Sequence, residues 1–287
     1  MPAKDGGTAS DGYRIGRRAL RDNAANRSAL DGWWLFQPYG LPWRKTIMQT
    51  VSLLGICASP RKRGNSWYLL ERAFAGAAGW VERDRFSFSG KKISPCVSCF
   101  RCEELGDCAV KDDFQELRDA WMAADAIIYS VPVYHMGVPG QLKCFLDRLG
   151  NTLCVKEGDG VSKLLKVIGV IAQGDCLFSG QEQVMTALIN HAVLMGCIPV
   201  AGDPWQSYLG AAGWTRQELG ENSLQRLYEG EEADAKVAVA AAESLGKRVT
   251  EMAMIVKAGG IACREMLAAD VYGSFLSRIE SGDPPSA

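Results

Sequence analysis

From residue 47 onward, short apolar runs rich in β-branched residues alternate with longer stretches of helical periodicity. No other feature limits the possible folds so strongly. Residues 50–57, 124–131, 164–172 and 198–201 read as buried strands, and 81–88 alternates enough to add another. Between them lie helical patterns at 67–78, at 139–149 with Pro139 in its first turn, and at 180–195. A further helix runs from the capping pair Asp112–Asp113 to Met122. A long helical pattern spans 231–258, and Gly259–Gly260 is expected to separate it from a last helix ending near Ile279. Strands alternating with helices predict an α/β fold, a parallel sheet covered on both faces. Such sheets take ligands at the carboxyl ends of their strands, near the switch point of the strand order.

The remaining 1–46 segment has a different composition. It carries eight Lys and Arg against four Asp, followed by the aromatic cluster from Trp33 to Trp43. It reads as a partly irregular arm whose aromatics (33–43) dock on something, such as a neighbouring subunit, because large aromatics are poor components of disordered segments. The plainer alternative is a disordered extension with Met48 as the older start. The expected organisation is an extension at 1–46, a ligand-binding domain at 47–258 containing a cysteine loop at 95–108, and a helical tail at 259–287. At 287 residues and 47% hydrophobic, the chain can bury a large core. A net charge of −1 points to neither nucleic acid nor membrane partners, and no apolar run has the length of a membrane span. Ten cysteines without a secretory h-region suggest the reducing cytoplasm.

Four of those cysteines, Cys96, Cys99, Cys102 and Cys108, form a C-x2-C-x2-C-x5-C run after Pro95. Soft thiolates favour zinc or iron–sulfur clusters. The compact opening is the iron–sulfur spacing of bacterial ferredoxins, and Gly106 lets the backbone fold back toward Cys108. Zinc sites more often pair two separated knuckles, and a disulfide framework suits short secreted chains. The spacing therefore favours iron–sulfur, with zinc or redox-active thiols as rivals. The other six cysteines (57, 144, 154, 176, 197 and 263) lie among apolar residues and read as small buried hydrophobes. Two histidines, His135 and His191, exclude a histidine-rich metal site.

Three loops at predicted strand ends suit a nucleotide-like ligand. The first, 58–66, lacks the dinucleotide and nucleoside-triphosphate glycine fingerprints. It does offer Ser59, Arg61, Asn65 and Ser66 ahead of a helix, a combination that suits a monoester phosphate; Lys62 and Arg63 read as a solvated turn. The second, 132–139, is stiffened by two prolines. It brings Pro132, Val133, Tyr134, Met136 and Gly137 together, and Tyr134 offers an aromatic face to a planar ring. A core tyrosine in a proline-rich connector is the bland reading. His135 is a weak candidate proton donor. The third, 173–175, adds Gln173 for ring heteroatoms and Gly174 for close approach.

Together, the Ser-Pro-Arg loop, the cysteine run, and Pro132-Val-Tyr with Gly137, Pro139 and the following Gln-Leu-Lys and Asp147-Arg148 resemble the iron–sulfur flavoprotein family, within the flavodoxin-like NAD(P)H-dependent FMN reductases. The resemblance covers about residues 49–203. It implies a flavodoxin-like, doubly wound, five-stranded sheet of order 2-1-3-4-5 with FMN at its carboxyl edge. Ser59, Arg61, Asn65 and Ser66 would hold the phosphate. Pro132, Val133, Tyr134, Met136 and Gly137 would face the isoalloxazine, and the four cysteines would ligate a [4Fe–4S] cluster. It also implies a homodimer or homotetramer, with the cluster of one subunit near the flavin of another. The arm and the segment after Trp205 are not part of the pattern.

The function that follows is a flavin-dependent oxidoreductase passing electrons from a reduced, ferredoxin-like carrier through cluster and flavin to a small acceptor. The rivals are an NAD(P)H-dependent FMN or quinone reductase with structural or zinc-binding cysteines, and a non-catalytic electron carrier or redox sensor.

Overall fold

A computed structural model of the chain describes residues 50–157, 162–203 and 205–280. The aromatic cluster expected to dock lies outside the described residues. The sheet begins with β1 (Val51–Cys57), β2 (Val81–Ser87), β3 (Ala126–Pro132) and β4 (Val167–Gln173), with β5 (Ile198–Pro199) and β6 (Ala211–Gly213) completing it. All pair in parallel in the order β2-β1-β3-β4-β5, and β6 also pairs with β4. The order is the expected one, but the fifth position is split. β5 meets the start of β4 (Val167 and Ile168), whereas β6 meets its end (Ile171 to Gln173). The predicted strand at 198–201 is thus cut short after Pro199, and the same edge is resumed twelve residues later.

Alternation along the central strands sends side chains to two cores. Leu54, Ile56, Ile127, Tyr129, Val131, Ile168 and Val170 face one. It is closed by α3 (Phe114–Ala123), α4 (Gly140–Glu157) and α5 (Gln181–Leu194). Val51, Leu53, Ile128, Val167 and Ile171 face the other, closed by α1 (Asn65–Gly76), α6 (Ser223–Glu229) and α7 (Ala233–Ala262). Burial on both faces is what removes a polar stripe from β3 and β4. The edge strand β2 is different: Glu82 to Arg85 are exposed, and charge on an edge discourages pairing with other chains.

A short helix, α2 (Arg101–Leu105), lies inside the cysteine loop. The last helix, α8 (Ala269–Glu280), follows α7 after a break at 263–268, not at Gly259–Gly260. The glycines serve packing. A Cβ on Gly260 would lie 2.3 Å from the Phe275 ring, so its absence lets α8 seat against a continuous α7. Pro139 is also one position earlier than expected. Its carbonyl accepts the Lys143 amide, which makes it the residue that caps α4. Beneath the amino ends of the strands, the buried Asp125 carboxylate accepts from Lys257 Nζ (2.9 Å), Arg278 Nε (3.1 Å) and the Ser52 amide (3.1 Å). This ties α7 and α8 to the sheet.

Candidate functional site

The loops that follow β1, β2, β3 and β4 all leave the carboxyl edge of the sheet, so the three candidate ligand loops and the cysteine loop share one edge. After β1, Ser59 is buried, and its Oγ accepts the Arg61 amide at 3.2 Å. α1 opens with no side-chain cap and no acidic residue in its first turn. Its leading amides are therefore available to an anion, in the field of the helix dipole. Ser66 is buried, and its carbonyl accepts Ser130 Oγ at 2.7 Å. Arg61 is exposed and reaches the Leu219 carbonyl. Asn65 is engaged elsewhere: its Nδ2 donates to Ser223 Oγ (3.0 Å) and its Oδ1 accepts the Leu224 amide (3.0 Å). Its side chain anchors the start of α6 beside the loop, so Ser59, Arg61 and the α1 amides are the groups of this loop not tied to α6 through Asn65.

After β3, Tyr134 and Gly137 exchange both backbone hydrogen bonds at 2.9 Å. Between them His135 (φ 46°) and Met136 (φ 65°) are both left-handed, which makes a tight primed turn. Non-glycine residues in that region store strain of the kind found at ligand clamps. Tyr134, His135 and Met136 are exposed at the tip, while Pro132 and Val133 are half-buried behind it. The turn is held from the side by Gly180 (φ 104°), whose missing Cβ would sit 2.7 Å from Met136 Cα. After β4, Gln173 is buried, and its Oε1 has no hydrogen-bond partner. A buried acceptor left unpaired at the strand end is the kind of group a ligand donor satisfies. The Gly174 amide donates to Gly213, so β6 props this loop.

The cysteine loop lies between β2 and α3. Cys96, Cys99, Cys102 and Cys108 line one cavity, with Arg148, Asn151 and Thr152 of α4 as its floor. Ser98 (φ 50°) and Phe100 (φ 55°) are left-handed, and Gly106 (φ 62°) ends α2, folding the backbone around the thiols as its sequence position suggested. Among the described residues, no three Cys, His, Asp or Glu side chains converge on a single ion-sized point. Burial, reinforced by the charges that Cys108, Cys99 and Cys96 would carry, pushes the Cys102 thiol up. Side-chain N–H groups reach two of the sulfurs: Asn151 Nδ2 donates to Cys96 Sγ (3.3 Å) and Arg148 Nε to Cys108 Sγ (3.2 Å).

Sequence reasoning missed both donors, although a signal existed. Arg148 falls within the apolar stripe Leu142, Phe145, Leu149 of α4, where a cation needs a buried partner. Its partner is Asp112, which takes Arg148 Nη1 on both oxygens (2.7 and 2.8 Å). Asp112 also accepts the Ser94 amide (2.8 Å) and the Phe114 amide (3.0 Å). Burial alone would raise the Asp112 carboxyl; the Ser94 amide, Arg148 and the Phe114 amide outweigh it and hold the group below the usual carboxylate range. Asp113 is the N-cap residue of α3 but makes no side-chain cap bond, and Asp112 supplies one from the position before it. Of the six remaining cysteines only Cys57 and Cys197 are buried, while Cys263 is exposed. The expectation of six buried thiols fails in α4 (Cys144 and Cys154), in the loop before α5 (Cys176) and just after α7 (Cys263), where the chain turns toward solvent.

A family model described as NADPH-dependent FMN reductase matches residues 51–206. An iron–sulfur flavoprotein of Archaeoglobus fulgidus is 34% identical over 167 residues, which span 58% of this chain and 84% of that one. One from Methanocaldococcus jannaschii is 29% identical over 208 residues, spanning 72% and 100%. An FMN-dependent NADH:quinone oxidoreductase of Gluconobacter oxydans is 32% identical over 100 residues, spanning 33% and 46%. With the sheet order, the strand-end loops and the cysteine cavity already in place, these similarities establish that the chain belongs to the NADPH-dependent FMN reductase family and, within it, to the iron–sulfur flavoproteins.

Proposed function

We propose that this flavin-dependent oxidoreductase takes electrons from a reduced carrier of ferredoxin type or from NAD(P)H and delivers them to a small oxidised acceptor, using FMN and a [4Fe–4S] cluster. The observation that carries the reading is the cavity in which all four cysteines of one loop meet two N–H···S donors, on the same sheet edge as the flavin loops. When bound, FMN exchanges electrons singly or as hydride and the cluster exchanges them one at a time, so together they link one- and two-electron donors.

The chain's own part is binding, orientation and exclusion of water. Ser59, Arg61 and the first amides of α1 would hold the phosphate. Asn65 supports them from behind by fixing α6. Pro132, Val133 and the Tyr134–Gly137 turn would lie along the ring, with Tyr134 and Met136 exposed toward the acceptor side. Gln173 would offer its unpaired Oε1 to a ring N–H, and Gly174 would let the backbone approach. Cys96, Cys99, Cys102 and Cys108 would ligate the cluster. Tuning by side-chain N–H groups, not acid–base catalysis by His135, is the protein's contribution to the chemistry. The assembly proposed is a homodimer or homotetramer.

Anaerobic purification followed by assay of iron, acid-labile sulfide, zinc and released flavin tests this. About four irons, four sulfides and one FMN per chain are expected; zinc without sulfide would overturn the cluster. Cys102→Ala should lose iron and sulfide while keeping FMN. Loss of flavin with the iron retained would contradict the assignment of the two sites.

A further inference from the structure

Arg148 makes more contacts around the cysteine cavity than any ligation scheme assigns to it. Its side chain is fully buried (0% exposed). Nε donates to Cys108 Sγ at 3.2 Å, Nη1 to Asp112 and to the Ser94 carbonyl at 3.3 Å, and Nη2 to the Val110 carbonyl at 2.6 Å. The guanidinium also lies 4.2 Å from the centre of the Phe114 ring. Every edge of the planar fork is therefore used, and one edge is aimed at a sulfur. A cation buried this deeply is retained only where partners compensate its desolvation. Asp112 compensates most of it. The donor left for Cys108 is still charged, and charge-assisted bonds are roughly twice as strong as neutral ones.

We propose that Arg148 is a positioning residue that fixes the Cys108 sulfur and raises the affinity of the cysteine-held centre for an electron. The inference rests on the reading that these cysteines hold an iron–sulfur cluster. On reduction, one electron passes from a one-electron carrier of ferredoxin type, which is oxidised, to the centre, whose charge becomes more negative by one; no bond forms or breaks. An N–H donor and a fixed positive charge beside a ligand sulfur both stabilise that added charge. Asp112 opposes the effect by partly neutralising the guanidinium. Asn151 provides an uncharged counterpart at Cys96, so the two ends of the motif are treated differently.

The same contacts also pin residues 94 and 108–112, so a purely structural role must be separated from an electronic one. The sign of the response to charge does this. In anaerobically purified full-length protein, the midpoint potential of the cluster is measured by poised redox titration with electron paramagnetic resonance detection, alongside iron and sulfide content. Arg148→Gln is expected to keep its iron and sulfide and to bind the electron about tenfold more weakly, a midpoint lower by ~59 mV for a one-electron couple. Arg148→Lys, which keeps the charge, should fall closer to the wild type. Asp112→Asn, which removes the counter-charge, should shift the midpoint upward. A fully loaded Arg148→Gln protein with an unmoved midpoint overturns the proposal, as does an Arg148→Lys midpoint no nearer the wild type. Should Arg148→Gln fail to assemble, Asp112→Asn decides: a rise supports the proposal, and an unchanged or lower midpoint overturns it. Wild-type protein holding zinc and no sulfide would sink the cluster reading itself, and that result precedes any variant.

Discussion

Replacing Gly180 with Ala would strike the turn proposed to face the flavin without changing any side chain of that turn. Gly180 has φ 104°, and a Cβ there would lie 2.7 Å from Met136 Cα, 2.9 Å from its carbonyl oxygen and 3.0 Å from its carbonyl carbon. All three atoms are backbone, so no side-chain rotation relieves the contact. Holding an L-residue in that region costs about 1–3 kcal/mol, and overpacking adds about 1–3 kcal/mol. Partial relaxation should leave roughly 2–4 kcal/mol. The turn has little slack, because His135 and Met136 already occupy the left-handed region. If the turn moves, FMN affinity falls, with each ~1.4 kcal/mol worth tenfold. If it holds, the loss appears in stability, at about 2–4 °C per kcal/mol for a domain of this size. Fluorescence titration of the deflavinated protein with FMN and a thermal melt together read both. Gly259→Ala is the control. It sits in α7 with nothing within 4 Å of the added carbon, and it should stabilise by about 1 kcal/mol through helix propensity. An unchanged FMN affinity together with an unchanged melt for Gly180→Ala would refute the argument.

Two further predictions concern charge. Arg61→Ala should weaken FMN binding about tenfold while leaving riboflavin binding unchanged, since the guanidinium is proposed to meet the phosphate and no other part of the flavin; equal losses for the two flavins, measured by the same titration, would place Arg61 elsewhere. Asp125→Asn should cost about 3 kcal/mol, the lower end for breaking a buried pair, seen as a melt lower by roughly 6–12 °C. Burial raises the Asp125 carboxyl, but Lys257, Arg278 and the Ser52 amide outweigh that and leave it lowered. Its stabilisation is therefore present above the unfolded value of about 3.9 and is lost as pH falls through the lower folded value. The gap between wild type and Asp125→Asn in urea melts should accordingly close in acid; a gap that widens there would contradict the assignment.

The parts of the fold that sequence revealed are those whose physics is local. β1, β3 and β4 are continuous apolar runs because both faces are covered, and their ends were placed to within about three residues. β6 was invisible. Ala-Ala-Gly has no strand propensity of its own, and it pairs because the end of β4 would otherwise leave buried backbone groups unbonded. Asn65 shows the same limit in the site. Its type and position suit a phosphate loop, but its amide is engaged by Ser223 and Leu224, 158 and 159 residues further along the chain. The four cysteines were legible because spacing alone brings them to one loop. Arg148 was not, since a charge in an apolar stripe announces that it has a partner without naming Asp112 or Cys108.

Helix α4 joins the two halves of the site. It starts three residues after the Tyr134–Gly137 turn, and Arg148 lies eight residues beyond Gly140 (148 − 140 = 8), about 12 Å along the helix axis. Along this stretch and one residue past it, Leu142, Phe145, Leu146 and Leu149 are buried in the core shared with α3 and α5. Close packing leaves such a helix no room to slide or tilt without opening voids, each of which costs stability. The residue that contacts the cysteine cavity and the turn proposed to face the flavin are thus spaced by one rigid element within a single protomer. Association of subunits can add surfaces to this edge. It does not set that spacing, which depends on the volume of four apolar side chains.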